Sequence, residues 1–128
     1  MDDIRVLVVD VEGGTLAEAL ATALDGAGVR LLGPASDPLE VAARFRDDEV
    51  DVAVVDVDGR AHNGLATVSA ITGACESARV VGMTDGDGAA ALPDVLGAGA
   101  YGVVTRASRP EQLVRDLRRA RAGELVIR

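Results

Sequence analysis

Five short apolar runs punctuate the chain at Ile4 to Val9, Val29 to Leu32, Val52 to Val55, Val80 to Met83 and Tyr101 to Val104. The first and third are almost entirely Val, Leu and Ile, as central strands buried on both faces require, whereas Arg30 gives the second the character of an edge. Helical spacing fills the gaps. Leu16, Leu20, Leu24 and Ala27 make one apolar stripe, Val41 and Phe45 a second, Leu65, Val68 and Ile71 a third, and Leu92, Val95 and Leu96 a fourth. Leu113, Leu117 and Ala120 form the inward face of a fifth helix. Asp37-Pro38-Leu39-Glu40 and Ser108-Arg109-Pro110-Glu111 both read as an N-cap, a proline early in the helix and a capping-box acid. Gly28, Gly73 and Gly123 fall where helices should stop.

Strands alternating with helices in this way predict an α/β domain: a parallel sheet, right-handed crossovers and helices on both faces. One such domain accounts for residues 1–128, with no repeat or linker within them.

Composition sharpens the picture. Hydrophobic residues make up 48% of the chain but aromatics only 2%, so the core is aliphatic. All 13 basic residues are arginine; the absence of lysine excludes a Schiff-base lysine, a Walker-A lysine and a kinase lysine. With 21 acidic residues the net charge is −8, which disfavours direct binding to a nucleic-acid backbone. Seven arginines lie in the last 23 positions, a pattern that suits the solvated face of a terminal helix. Cys75 is the sole cysteine and forms no internal disulfide; it reads as a small apolar residue closing the third helix. An acidic start without a signal-peptide pattern, and no apolar run of membrane-spanning length, predict a soluble, cytoplasmic protein.

Chemistry in such sheets gathers at the carboxyl ends of the strands. Those ends read Asp10-Val11-Glu12, Asp56-Val57-Asp58, Thr84-Asp85 and Thr105-Arg106. Carboxylates, a hydroxyl and a cation converging on one edge make a constellation suited to handling a phosphoryl group. Asp10 is separated from the first helix by Gly13 and Gly14 and so reads as a pocket acid, not a cap. Asp85-Gly86-Asp87-Gly88 lacks the ligand set of a calcium loop and reads as a loop with Asp87 capping the fourth helix. His62 has no Cys or His partner at metal-binding spacing.

Over its whole length the chain resembles the receiver domains of two-component response regulators. Asp51-Val52-Ala53-Val54-Val55-Asp56 resembles that family's approach to its acceptor aspartate, and Asn63-Gly64-Leu65 the opening of its third helix. Gly97-Ala98-Gly99-Ala100-Tyr101-Gly102 is similar to the turn before its last strand, and Pro110-Glu111-Gln112-Leu113 to the start of its last helix. The ending Arg119-Ala120-Arg121-Ala122-Gly123-Glu124 resembles receivers that precede a LuxR-type helix-turn-helix. The resemblance implies a flavodoxin-like, doubly wound sheet in the order 2-1-3-4-5 with five helices. It also implies signalling without enzymatic turnover, a histidine kinase as phosphodonor, and contact with DNA only through a C-terminal domain absent from this chain. Asp56 would be the phosphoacceptor. Mg²⁺ would be held by Asp10, Asp56 and the carbonyl of Asp58, with Glu12 beside Asp10 in the acidic pocket. Thr84 and Arg106 would contact the phosphoryl group, and the surface of the fourth helix, fifth strand and fifth helix would change in response.

Asp10, Asp56 and Thr84 match three of the family's five signature positions, and the other two depart from it. Val11 stands where the family has its second acid and offers no oxygen to a metal that demands near-octahedral oxygen coordination. Arg106 stands where the family has lysine; its planar fork differs from a compact ammonium. Val103 replaces an aromatic switch residue, and Arg60 a proline. These departures predict an atypical pocket with weak or no Mg²⁺ binding and poor phosphorylation, in which Arg106 pairs directly with Asp10 or Asp56. The alternative is a conventional Mg²⁺-dependent phosphoacceptor. A remoter one is a haloacid-dehalogenase-like phosphatase, which Asp56-Val57-Asp58-Gly59 resembles, although that motif normally opens its domain and here follows the third strand.

The resemblance, with the interleaved charges of Arg115, Asp116, Arg118 and Arg119, also implies a homodimer. It would form through the fourth-helix, fifth-strand and fifth-helix surface or through the first and fifth helices. Sedimentation at high protein concentration is expected to reveal weak self-association. Monomer alone, with and without a phosphodonor, would contradict it.

Overall fold

The structure, a computed structural model, describes residues 3–10, 16–24, 26–58, 63–85 and 88–126. Its elements run β1 (Ile4–Val9), α1 (Leu16–Leu24), β2 (Val29–Ala35), α2 (Pro38–Arg46), β3 (Val52–Asp56), α3 (Asn63–Ala74), β4 (Val80–Thr84), α4 (Gly88–Gly97), β5 (Gly102–Thr105) and α5 (Pro110–Arg121). Every strand pairing is parallel, and the order is β2-β1-β3-β4-β5, the flavodoxin-like arrangement.

The strand sequences explain the layering. Side chains alternate across a strand, so β1 sends Leu7 and Val9 to one face and Ile4, Val6 and Val8 to the other. The first face packs on Val41 of α2, Val68 and Ile71 of α3, and Val95 of α4. The second packs on Leu16, Leu20 and Leu24 of α1 and on Leu113, Leu117 and Ala120 of α5. Each fully buried aliphatic side chain contributes about 1.5–3 kcal/mol, and small β-branched residues let five helices lie close to the sheet without aromatic filler. Among the described residues, no helix is long and apolar enough to cross a membrane.

Local expectations divide. Asp37 caps α2, accepting from the Leu39 N–H at 3.0 Å, with Pro38 in the first turn. Ser108 does not cap α5. The N-cap is Arg109, whose side chain makes no capping bond, because Pro110 occupies the first turn and places the cap one residue later than expected. Gly73 lies inside α3, which ends at Ala74; a glycine in an open position of a helix is tolerated at about 1 kcal/mol. Cys75 follows directly and is buried. The fifth apolar run starts one residue late, at Gly102, and has a neighbour that periodicity does not announce. After α5 the chain returns so that Val126 bonds Tyr101 and Val103 through its N–H and carbonyl. A side chain at Gly102 would lie 1.8 Å from the Val126 carbonyl oxygen, so only glycine admits this crossing. The expected Asp87 cap and His62 lie outside the described residues.

Opposite the carboxyl ends, Asp51 continues the β1–β3 ladder with its side chain. Its Oδ2 accepts the Arg5 backbone N–H at 2.7 Å, and its Oδ1 accepts Arg5 Nη2 at 3.0 Å. Burial pushes the Asp51 carboxyl up, but hydrogen bonds from Arg5 and the charges of Arg5 and Arg121 outweigh it and hold the carboxyl below its usual range. A carboxyl with a depressed folded-state pKa stabilises the fold fully above its unfolded value and loses that contribution as pH falls through the folded one. Arg5→Ala removes the counterweight, so acid unfolding followed by circular dichroism is expected to begin at higher pH. An unchanged acid profile would show that the pair contributes nothing.

At the functional edge the start of α3 is pressed against the end of β3. A Cβ on Gly64 would lie 2.1 Å from the Asp56 carbonyl oxygen, so the Asn63-Gly64-Leu65 string exists to let α3 approach Asp56. Gly64→Ala is expected to destabilise the domain by about 1–3 kcal/mol in urea unfolding, as overpacking does. A smaller loss would mean that the helix can retreat freely.

Candidate functional site

Parallel register brings the strand ends to one edge. Val9 pairs with Val55, Asp56 with Met83 and Thr84 with Thr105, so the residues next along the chain emerge side by side. Backbone bonds extend the ladder past the strands: the Val57 N–H donates to Met83 and the Arg106 N–H to Thr84. Asp10, partly buried, stands at the end of β1 with its N–H bonded to the Ala35 carbonyl.

Asp56 is engaged at both carboxylate oxygens. Oδ1 accepts the Asp58 N–H at 2.9 Å, closing a two-residue Asx turn, and Oδ2 accepts Arg106 Nη2 at 2.7 Å. The ion pair is sheltered without being sealed, with side-chain exposures of 24% for Arg106 and 35% for Asp56. The same guanidinium reaches the fourth strand's end: its Nε lies 2.8 Å from Asp85 Oδ1, an ion pair whose angle falls short of a hydrogen bond. Thr84 is buried, 3% exposed, and its hydroxyl donates to Asp58 Oδ1 at 2.7 Å. Asp58 Oδ2 accepts the Asp85 N–H at 2.5 Å.

Of the residues singled out in the sequence, Asp56, Asp58, Thr84 and Arg106 therefore form one bonded cluster, with Asp10 at the neighbouring strand end. Arg106 pairs with Asp56. Glu12 and Val11 lie outside the described residues. Asp58 and Asp85 stand among the strand-end acids of the sequence, but their partners do not follow from it: the Asp58 carboxylate, and not only the carbonyl that the resemblance implies, joins β3 to β4, and Asp85 shares Arg106. The spacing of Asp58 two residues after Asp56 is the available clue, since an Asx turn brings the second carboxylate back over the sheet edge.

The fit to a divalent cation is poor as the side chains are placed. Among the described residues no group of three or more His, Cys, Asp or Glu side chains is placed to hold a metal ion. The Asp56 oxygens are committed to Arg106 and to a backbone N–H, and the Asp58 carboxylate is turned towards Thr84. A magnesium ion needs several unencumbered oxygens in near-octahedral array, and this cluster offers hydrogen-bond donors in their place.

No protein-family model matches the chain, and no curated protein matches it in sequence. Solved structures match over nearly its full length. A two-component response regulator of the LuxR family from Aurantimonas sp. SI85-9A1 superposes with a TM-score of 0.77 at 24% identity, over 98% of this chain and 90% of that one. The signal receiver domain of the putative response regulator NarL from Mycobacterium tuberculosis gives 0.73 at 24% identity, over 97% and 100%. The response regulator domain of Thermotoga maritima CheB gives 0.70 at 24% identity, over 94% and 97%. The fold of this chain is that of response-regulator receiver domains.

Proposed function

We propose that the chain is the receiver module of a response regulator whose Asp56 pocket is held by its own side chains, binds Mg²⁺ weakly and accepts a phosphoryl group poorly or not at all. Its output would be the control of transcription through a DNA-binding domain outside this chain, read through the surface of α4, β5 and α5. The observation that carries the pocket reading is the 2.7 Å contact between Arg106 Nη2 and Asp56 Oδ2. A carboxylate that is to attack a phosphoryl group must present a free lone pair to an already anionic partner, and it needs a cation to bring the two together. Here the guanidinium takes one lone pair of Asp56 Oδ2 and draws charge away from the nucleophile, so the attack has to work against that contact. Breaking a charge-assisted bond costs about 1.5–3 kcal/mol, nearer the lower figure for a pair this open to solvent.

Val11 deepens the deficit. One lost ligand oxygen lowers cation affinity by roughly 1–3 kcal/mol, about 5- to 150-fold. It also removes a negative charge that a metal would otherwise relieve, which makes the metal-free pocket more comfortable. Arg106 stands in for the missing cation as a neutraliser, but it is fixed to the protein and cannot be displaced by phosphate as water is from a metal. The LuxR-family likeness and the ending Arg119-Ala120-Arg121-Ala122-Gly123-Glu124 support a transcriptional output; a histidine kinase remains the natural donor if any phosphoryl transfer occurs.

Incubation with acetyl phosphate and Mg²⁺ followed by intact-mass measurement is expected to show no stoichiometric phosphoryl adduct. The double replacement Val11→Asp with Arg106→Lys should raise the labelled fraction. Stoichiometric labelling of the natural sequence, lost on Asp56→Asn, would establish a conventional phosphoacceptor instead. Turnover of p-nitrophenyl phosphate would point to the phosphatase alternative.

A further inference from the structure

The side chain of Asp58 carries an inference that deepens this reading and rests on it. The Asx turn over Asp56 carries the Asp58 carboxylate across to the end of β4, where it meets two donors at once: the Thr84 hydroxyl at 2.7 Å and the Asp85 N–H at 2.5 Å. Arg106 lies alongside, bridging Asp56 and Asp85. A hydroxyl, a backbone N–H and a guanidinium aimed at the space beside one carboxylate are the donors that an anion attached to Asp56 would need. Two of the three are already taken by an anion, and that anion is part of the chain.

We infer that the Asp58 carboxylate is a built-in substitute for the phosphoryl group, holding the Thr84 hydroxyl and the Asp85 N–H in the anion-bound arrangement with no phosphate present. The chemistry of the donors makes the occupancy exclusive. A threonine hydroxyl has one hydrogen, so Thr84 cannot donate to Asp58 and to a phosphoryl oxygen together. Bonds from a hydroxyl and an amide to a carboxylate are charge-assisted, which makes them short and strong relative to neutral ones. An incoming anion has to displace Asp58 and then sit beside its charge. The same contact has a conformational consequence. Thr84 ends β4, Asp85 leads towards α4, and Arg106 leads out of β5, so an anchored Thr84 fixes the strand ends from which the α4 and β5 surface is built. Regulation of this pocket then amounts to capture or release of Asp58, by a partner or ligand that competes for its carboxylate.

The test uses the whole domain without any phosphodonor. In proton–nitrogen and methyl spectra, the natural sequence is expected to show a strongly downfield Asp85 amide and a single Thr84 side-chain rotamer. Asp58→Ala should move the Asp85 amide upfield and release Thr84 to rotamer averaging. Asp58→Asn, which keeps the shape and one acceptor oxygen, should fall between them and serves as the control for folding. Inorganic phosphate, followed through the same two residues, should act on Asp58→Ala at roughly tenfold lower concentration than on the natural sequence, the worth of one charge-assisted contact. Unchanged Thr84 and Asp85 resonances in Asp58→Ala would overturn the inference, and so would the absence of any gain in phosphate response. Neither readout depends on whether Asp56 can be phosphorylated. Acetyl-phosphate labelling of the natural sequence would sink the proposed pocket behaviour while leaving the Asp58 contact to be judged by the spectra.

Discussion

Carboxylates collected at one edge of a parallel sheet have to be neutralised, and the way this chain does so governs the rest of its site. Asp10, Asp56, Asp58 and Asp85 all emerge from strand ends that parallel pairing brings together. A metal ion would offset such a group with one mobile charge. This chain uses fixed donors: Arg106 for Asp56 and Asp85, the Thr84 hydroxyl and the Asp85 N–H for Asp58, and the Asp58 N–H for Asp56. Such donors are fixed to the chain, whereas a metal ion exchanges with solvent.

The scaffold supports that arrangement at both ends of β3. Below, Asp51 and Arg5 lock β3 to β1 by bonds that replace part of the backbone ladder. Above, Gly64 lets α3 press on the carbonyl of Asp56, which fixes where its side chain starts. Pro93 sits inside α4 and cannot donate to the carbonyl four residues before it, and the return of the chain at Val126 is bonded to Tyr101 and Val103, close to the strand that carries Arg106.

Much of the fold was legible because its signals are periodic. Leu113, Leu117 and Ala120 face inward at helical spacing, and the run from Val52 to Val55 is buried on both sides, as an uninterrupted apolar strand must be. Strand order was not readable from periodicity and came from family resemblance. The site was legible by type: acids, a hydroxyl and a cation at strand ends. Its wiring was not. Whether Asp58 offers its carbonyl or its carboxylate depends on one turn, and whether Arg106 chooses Asp10 or Asp56 depends on distances between strands, which no linear pattern encodes. The misplaced α5 cap has a similar cause, since Ser108 and Arg109 differ by one residue and only backbone geometry decides between them.

Whether side chains, and not a metal, neutralise the Asp56 pocket is decided by a Mg²⁺ titration followed at the backbone resonances of Asp10, Asp56 and Arg106, with the Val11→Asp, Arg106→Lys double variant as comparison. No saturating change is expected in the natural sequence at concentrations that saturate the variant, with the Arg106 guanidinium resonances unmoved. Saturable binding by the natural sequence at those same concentrations, with release of Arg106 from Asp56, would contradict it.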